Sequence, residues 1–337
     1  MFSRSWLVNT CVGLLVICLL SGCEKKPGGA TATQVSGKDK IFSDAYPIRA
    51  VSTVGMVADV VSAVGGDKVQ SSQLLRAGID PHTYSATRDD MASIMQGDMV
   101  FYSGLLLEGQ MAEALKSAGD TRPSIAVAEG IPAASRLQDS ANTSHNDPHV
   151  WMDVSLWIQG AEVVAQALAK FDPVNAEDYH RRATAWKEEL QGLHEYCKTC
   201  IASIPENSRV LITSHDAFQY FGRAYGIEVM GVQGISTESE AGLQDINELV
   251  DLLVERKIPA VFCESSVSQK SIDAVVAGAK SRGQEVKVLG PLFSDAMGTA
   301  GTWEGTYAGM LDHNATLITR GLGGTAPETG WKGKLAK

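Results

Sequence analysis

The middle of the chain carries one uninterrupted apolar stripe that fits a long helix. Between Asp172 and Pro205, apolar residues recur at spacings of 4, 3, 4, 3, 4, 3 and 4. The stripe consists of Tyr179, Ala183, Trp186, Leu190, Leu193, Cys197, Cys200 and Ile204. This is the period of one helix face, Pro173 suits a first helical turn, and Pro205 ends the pattern. At 1.5 Å per residue the segment predicts a rigid rod of about 45 Å, roughly the span of two lobes.

Strand-like and helical patterns alternate on both sides of this predicted helix. Apolar strands that alternate with amphipathic helices indicate parallel sheets covered on both faces. We therefore predict an α/β fold of two parallel-sheet lobes linked by a single long rigid helix. The predicted bounds are 46–171 for the N-terminal lobe, 172–205 for the linking helix, 206–323 for the C-terminal lobe and 324–337 for a tail.

The N-terminus resembles an export signal. Arg4 precedes a mostly apolar run that is too short to span a bilayer comfortably, and the run ends at Leu20-Ser21-Gly22-Cys23. That ending matches the bacterial lipobox, so we predict a lipoprotein signal peptide over 1–23 with Cys23 lipidated. An ordinary signal peptide with an incidental cysteine is the alternative. A lipidated Cys23 would place the protein outside the cytoplasm, anchored to a membrane. Residues 24–45, rich in Lys, Gly, Ala, Thr and Ser, predict a flexible tether.

Charge and cysteine content narrow the function. The formal net charge of −10 argues against a nucleic-acid partner and is compatible with a cationic ligand. Of six cysteines, only Cys197, Cys200 and Cys263 follow the predicted anchor, and an odd number does not make a disulfide framework. Cys197 and Cys200 lie on the packed face of the long helix, which favours buried thiols. A disulfide between them or an accessory metal site is the alternative.

The tripeptide Asp-Pro-His occurs twice and ends at His82 and His149. Proline fixes its own φ and keeps the preceding residue out of a helix, so each histidine lies on a stiff corner suited to a transition metal. His215 directly follows a predicted strand, and Asp295 follows the last one. Ligand sites in α/β sheets form at the carboxyl ends of strands. We therefore expect two ligands from each lobe to meet across a shared cleft.

Five motifs carry a resemblance to a known family. They are Gly78–Tyr84, Asp147–Asp153, Ile212–Phe218, Gly234–Glu240 and Ser294–Gly298. With these motifs the chain, from about Tyr46 to Gly321, resembles the TroA-like (cluster A-I) zinc and manganese solute-binding lipoproteins of ABC transporters. The resemblance implies two α/β lobes bridged by one long helix. It also implies metal ligands at His82, His149, His215 and Asp295.

The donor set indicates which metal is bound and what happens to it. Three imidazoles and one carboxylate suit Zn²⁺, and four protein ligands leave no open position of the kind a catalytic zinc keeps. We therefore predict capture and release of the metal, and no enzyme activity. The resemblance implies that manganese-tuned relatives carry a carboxylate where this chain has His215. That difference favours zinc, with Mn²⁺ as the alternative. Asp80, Asp147 and Asp216 either orient the histidines or only form turns and caps.

The resemblance implies the extracytoplasmic metal-binding component of an ABC importer, which captures Zn²⁺, with Mn²⁺ as the alternative ion, in the interlobe cleft. Its partners would be the permease with its ATPase, and the membrane through Cys23. We expect a monomer that loses its metal as the pH falls through the histidine range, near 6.5. The alternatives are a manganese- or iron-specific member of the same family, a metal-stabilised adhesin-type lipoprotein, and a metal-dependent hydrolase. The last is disfavoured because the sequence has no His-Glu-x-x-His motif.

Overall fold

The structure is a computed structural model that describes residues 37–140 and 142–336. The predicted signal peptide, its Cys23 and the first part of the predicted tether lie outside the described residues. Two four-stranded sheets form the described part, and every pair of neighbouring strands within them is parallel.

The first sheet has the strand order β2-β1-β3-β4. Its strands are β1 (Ile48–Ser52), β2 (Val69–Gln73), β3 (Met99–Tyr102) and β4 (Ser124–Ala126). Four helices belong to this lobe: α1 (Gly55–Gly65), α2 (Arg88–Gln96), α3 (Ala112–Gly119) and α4 (Val154–Phe171). Strand β1 is central, and its Ala50 pairs with Ser71 on one side and Met99 on the other.

The predicted linking helix is present as α5 (Ala176–Ala202), which has 27 residues. It begins later than the pattern indicated because Pro173–Asn175 form a 3₁₀ turn first. Its stripe, from Tyr179 to Cys200, is buried except for the half-buried Trp186. The helix packs on α1 and α4 of the first lobe, and on the last long helix of the second.

The second sheet repeats the first, with the strand order β6-β5-β7-β8. Its strands are β5 (Val210–His215), β6 (Glu228–Gln233), β7 (Ala260–Glu264) and β8 (Lys287–Leu292). Its helices are α6 (Gln219–Tyr225), α7 (Leu243–Arg256), α8 (Lys270–Ser281) and α9 (Tyr307–Gly321). The predicted fold class, two parallel-sheet α/β lobes linked by one long helix, is confirmed.

In each sheet the strand order reverses beside the first strand, and a crevice forms there at the carboxyl ends. In the first sheet the buried carboxylate of Glu108 fills this position. It accepts hydrogen bonds from the Thr53 hydroxyl at 2.6 Å and from the backbone N–H groups of Ser103 and Gly104 at 2.7 and 3.0 Å. In the second sheet His215 ends β5. Equivalent positions in the two lobes therefore differ in role. Glu108 joins the ends of its strands by hydrogen bonds, and His215 presents an imidazole.

Both ends of the described chain pack against the lobes. In the described part of the predicted tether, Phe42 donates its backbone N–H to the carbonyl of Phe171 at 2.7 Å, and the two rings lie 5.6 Å apart. In the predicted tail, Trp331 donates its backbone N–H to Asp312 at 2.6 Å, and Leu335 is buried. Across 37–140 and 142–336, no helix has the length and apolar character needed to cross a membrane.

Candidate metal centre

The structure brings together all four predicted ligands, His82, His149, His215 and Asp295. One nitrogen or oxygen from each residue lies within 4.8 Å of the corresponding atoms of the other three. All four side chains are buried, at no more than 4 % exposure. His82 comes from the loop after β2, His149 from the loop before α4, His215 from the end of β5, and Asp295 from the loop after β8.

The donor atoms face one another at short range. The Nε2 atoms of His82 and His149 are 3.3 Å apart. Asp295 reaches all three rings: its Oδ1 lies 3.2 Å from His149 Nε2, and its Oδ2 lies 3.2 Å from His215 Nε2 and 3.7 Å from His82 Nε2. Among the described residues, neither carboxylate oxygen of Asp295 has a partner in hydrogen-bonding geometry, nor does His215 Nε2. Buried polar atoms in this state are costly unless another group satisfies them.

The two Asp-Pro-His repeats have the same local structure. Asp80 Oδ1 accepts the backbone N–H of His82 at 2.8 Å, and Asp147 Oδ1 accepts that of His149 at 2.9 Å. The second repeat goes further, because Asp147 Oδ1 also lies 2.8 Å from His149 Nδ1. That contact assigns the Nδ1 proton to the Asp147 side and leaves Nε2 free to face the other donors. Asp216 instead accepts a hydrogen bond from the Gln219 amide at 2.8 Å.

A further residue of the site, Glu264, was not among the predicted ones. It ends β7 and is buried beside His215. Its Oε1 accepts the backbone N–H of His215 at 2.8 Å. Its Oε2 lies 2.6 Å from His215 Nδ1, an ion-pair contact that is outside hydrogen-bonding geometry. The sequence could have indicated Glu264, because this carboxylate directly follows the apolar run Val261-Phe262-Cys263. Polar residues at the carboxyl ends of strands are site candidates, and His215 was selected on the same ground.

Asp295 is positioned by helix α9 and by the loop that carries His149. The Asn314 side chain accepts the backbone N–H of Phe293 at 2.9 Å and donates to its carbonyl at 2.7 Å, two residues before Asp295. Trp151 donates its indole N–H to the carbonyl of Ser294 at 2.9 Å. The two residues that precede Asp295 are therefore held by hydrogen bonds to two different elements.

Burial and charge set the protonation of the four groups. Burial lowers the pKa of His82 to about 4. Burial also opposes the charged form of His149, but the carboxylates of Asp147 and Asp295 outweigh it and raise the pKa of His149 to about 9. Burial also lowers the pKa of His215, but the carboxylates of Glu264 and Asp295 have the larger effect and raise it well above its ordinary value. Burial acts to raise the pKa of Asp295, but the His215 and His149 rings hold it well below the usual range.

Other candidate groups lie elsewhere and have local partners. His145 contacts the side chain of Asn142, and His313 Nε2 contacts the carbonyl of Pro291. Cys197 and Cys200 are free and buried, and burial raises the pKa of both thiols. In the structure Cys197 and Cys200 are therefore buried thiols, without a disulfide between them.

Two parallel-sheet lobes, a long linking helix and, within the described residues, a buried cluster of donor atoms between the lobes are features of two-lobed solute-binding proteins. The family described as ZnuA, zinc-uptake complex component A, periplasmic, matches residues 50–321. The chain belongs to this family, as the motifs predicted.

Individual relatives cover nearly the whole chain. The chain is 44 % identical over 303 residues to the manganese-binding lipoprotein MntA of Bacillus subtilis, a match that covers 90 % of this chain and 95 % of the relative. It is 41 % identical over 290 residues to the zinc-binding protein TroA of Treponema pallidum, covering 86 % and 93 %. The solved structure of the periplasmic zinc-binding protein TroA from Treponema pallidum superposes with a TM-score of 0.79, covering 82 % of this chain and 99 % of that one.

Proposed function

We propose that this protein captures a single Zn²⁺ ion between its lobes and delivers it to a membrane importer. The ligands would be the imidazoles of His82, His149 and His215 and the carboxylate of Asp295. The observation that carries the proposal is the convergence of four buried donors, because one nitrogen or oxygen from each residue lies within 4.8 Å of those of the other three. The two oxygens of Asp295 face three imidazole nitrogens, at 3.2 to 3.7 Å and outside hydrogen-bonding geometry among the described residues. A cation at the centre of the cluster would take the place of ring protons in compensating the charge of Asp295.

The spacing of the donor atoms supports a small tetrahedral ion. Ligands bound to zinc at 2.0–2.1 Å in tetrahedral geometry are separated from one another by about 3.3 Å. Four of the separations, which involve both oxygens of Asp295, are 3.2, 3.2, 3.3 and 3.7 Å. The set with one donor atom from each of the four residues spans up to 4.8 Å, so the donors would draw together on binding zinc.

The donor chemistry favours zinc, with manganese as the second candidate. Imidazole suits zinc, and Mn²⁺ is the weakest binder in the divalent series, so His215 in place of a carboxylate favours zinc. The second candidate rests on the manganese-binding lipoprotein MntA, whose 44 % identity is similar to the 41 % of zinc-binding TroA. Four protein donors fill a tetrahedral shell, and this arrangement suits transport better than hydrolysis.

Delivery would involve an ABC permease with its ATPase, the partners of metal substrate-binding components. The predicted lipid anchor at Cys23 and the tether would hold a monomeric protein at the outer face of a membrane. The linking helix α5 packs on both lobes and would limit how far the lobes can move apart. Release would therefore depend on local changes at the ligand loops.

Elemental analysis after zinc loading and desalting tests the proposal. We expect one zinc per chain in the wild type and strongly reduced zinc in His215→Ala. The control is His313→Ala, which changes a histidine outside the cluster. If His215→Ala lost zinc but kept its metal-free melting temperature, a transport site would be supported over metal that serves stability alone. Zinc content equal to that of the wild type in His215→Ala would contradict the proposed site.

A further inference from the structure

The four donor side chains are not held equally. His149 and His215 each have a buried carboxylate against their Nδ1 atom, at 2.8 and 2.6 Å. Asp295 lies in a segment that Asn314 and Trp151 fix by hydrogen bonds. These supports are buried and make three of the donors a preorganised set.

The loop that carries His149 is also tied to the second lobe. Tyr220 of α6 donates its hydroxyl to the carbonyl of Asp147 at 3.0 Å, and Tyr307 of α9 donates to the carbonyl of Trp151 at 2.7 Å. Both bonds are buried. His149 is therefore tied by its loop to the lobe that carries His215 and Asp295, although it precedes α4 of the first lobe.

His82 is supported differently, in a loop between β2 and α2 that is largely exposed. Residues 76–79 of this loop are exposed, including Ile79 at 37 %. The backbone of His82 is held by Asp80, whose Oδ2 also accepts the Thr83 hydroxyl at 3.1 Å. These bonds stay within the loop, so they shape it without fixing it to the rest of the site.

The link to the other lobe comes from the motif Gly234–Glu240, which follows β6. Thr237 donates its hydroxyl to Asp80 Oδ2 at 2.5 Å across the cleft. Beside it, the Gln110 amide donates to Glu238 Oε1 at 2.8 Å, a further bond between the lobes at an exposed position. Both acceptors are carboxylates, but the bond from Thr237 is shorter and half-buried, which makes it the stronger of these two.

We propose that Thr237 is a positioning residue for metal binding, which acts through Asp80 to keep His82 in the site. The inference rests on the proposed function, since it concerns the same ion. When the Thr237–Asp80 bond breaks, the His82 loop is free to withdraw while the other three donors stay in place. His82 is thus the first ligand to leave, and the motif around Thr237 controls how fast the ion leaves.

Zinc dissociation from the loaded protein, followed by stopped flow into excess chelator, tests this role. Thr237→Val keeps the shape of the side chain and removes the hydroxyl. We expect it to speed dissociation about tenfold, the loss of one hydrogen bond to a charged group. Thr237→Ser, which retains the hydroxyl, should restore the rate to within about twofold of wild type. The metal-free melting temperature of Thr237→Val should be lower than that of the other two proteins by no more than about 5 °C, so all three remain folded in the assay.

Thr83→Val is the matched control, because it removes a hydroxyl from the same Asp80 oxygen without crossing the cleft. We expect its dissociation rate to stay within about twofold of wild type. Equal acceleration in Thr83→Val, a wild-type rate in Thr237→Val, or no rescue by Thr237→Ser would overturn the positioning role. A wild type that takes up no zinc would instead overturn the proposed function, so the two failures are distinguishable.

Discussion

Glu264 holds His215 at two points, through the backbone N–H at 2.8 Å and against Nδ1 at 2.6 Å. The pair joins the carboxyl ends of β5 and β7, where the strand order of the second sheet reverses. The imidazole is thereby fixed in orientation, with Nε2 directed at Asp295, 3.2 Å away. The crevice of the sheet thus holds the imidazole of His215, one of the proposed metal ligands, in a defined orientation.

Removing the charge of Glu264 should weaken zinc binding. We expect Glu264→Gln to lower zinc affinity by about 10- to 100-fold, because the amide no longer fixes the tautomer of His215. Competition with a chromophoric chelator measures the effect. The matched control is Glu108→Gln, the buried carboxylate at the equivalent crevice of the first sheet. It should reduce stability by about 1–3 kcal/mol and leave zinc affinity unchanged. Equal zinc affinities for Glu264→Gln and wild type would refute this role of Glu264.

Changing the donor at position 215 should change the metal preference. We expect His215→Glu to weaken zinc binding more than manganese binding, since an oxygen replaces a softer nitrogen. Titration calorimetry with each metal gives the ratio of the two affinities. His145→Glu, which makes the same substitution in the exposed 142–146 turn, should leave that ratio at its wild-type value. If the ratio of the two affinities were unchanged in His215→Glu, the imidazole at position 215 would not be what favours zinc over manganese.

Zinc binding should release protons at neutral pH. The pKa of His149 is raised to about 9, and that of His215 is also raised. Both rings therefore carry protons on both nitrogens, and a positive charge, in the metal-free protein at pH 7. His82, with its pKa lowered to about 4, is already neutral. Zinc requires neutral imidazoles, so affinity should fall as the pH drops below about 9, a wider window than the range near 6.5 predicted from the sequence.

Calorimetry at pH 7 in buffers of different ionisation enthalpy counts these protons. We expect about two protons per zinc, which corresponds to a loss of up to about 100-fold in affinity per pH unit. Release of less than about half a proton would contradict the protonation of His149 and His215 in the metal-free state.

A carboxylate outside the site sets a separate pH dependence of stability. Burial, with a contribution from Glu189, raises the pKa of Asp59 to about 6 against the lowering effect of the Tyr307 backbone N–H. The protonated carboxyl therefore favours the folded state below about pH 4, and this contribution is lost as the pH rises through 6. Asp59→Asn keeps an acceptor for Tyr307 and should raise the free energy of unfolding by about 1–2 kcal/mol at pH 8.

Urea unfolding of the metal-free protein at pH 8 and pH 4 measures this difference. The gain should shrink at pH 4, where the wild-type carboxyl is itself protonated in the folded state. A gain of equal size at both pH values would show that charge at Asp59 is not its cause.

The sequence predicted the fold because its signals are local and repeated. The stripe from Tyr179 to Ile204 has helical spacing over its whole length, and strands alternate with helices on either side. Prolines and 3₁₀ turns shifted the bounds, as at Pro173–Asn175. The docking of Phe42 on Phe171 was missed because a single aromatic residue in a polar segment has no period to reveal it.

The four proposed ligands were predicted individually, and so was Asp147 as a candidate to orient His149, but the supports that come from distant segments were not. His82, His149, His215 and Asp295 lie in motifs or at strand ends, which are features of the local sequence. Glu264 and Thr237 act through contacts between distant segments. The Thr237–Asp80 bond joins residues 157 positions apart, and the Tyr307–Trp151 bond joins residues 156 apart. Such pairings depend on how the lobes pack, which composition and spacing do not encode.

X-ray absorption spectroscopy at the zinc edge, on protein loaded with one equivalent of zinc, tests the central claim most directly. The account predicts a shell of nitrogen and oxygen at about 2.0–2.1 Å, with the outer-shell scattering of three imidazoles and no sulfur. His215→Ala should lose one imidazole from that signal. A sulfur shell at about 2.3 Å would place the zinc at cysteine and contradict the account. A signal from zinc surrounded only by water would contradict it equally.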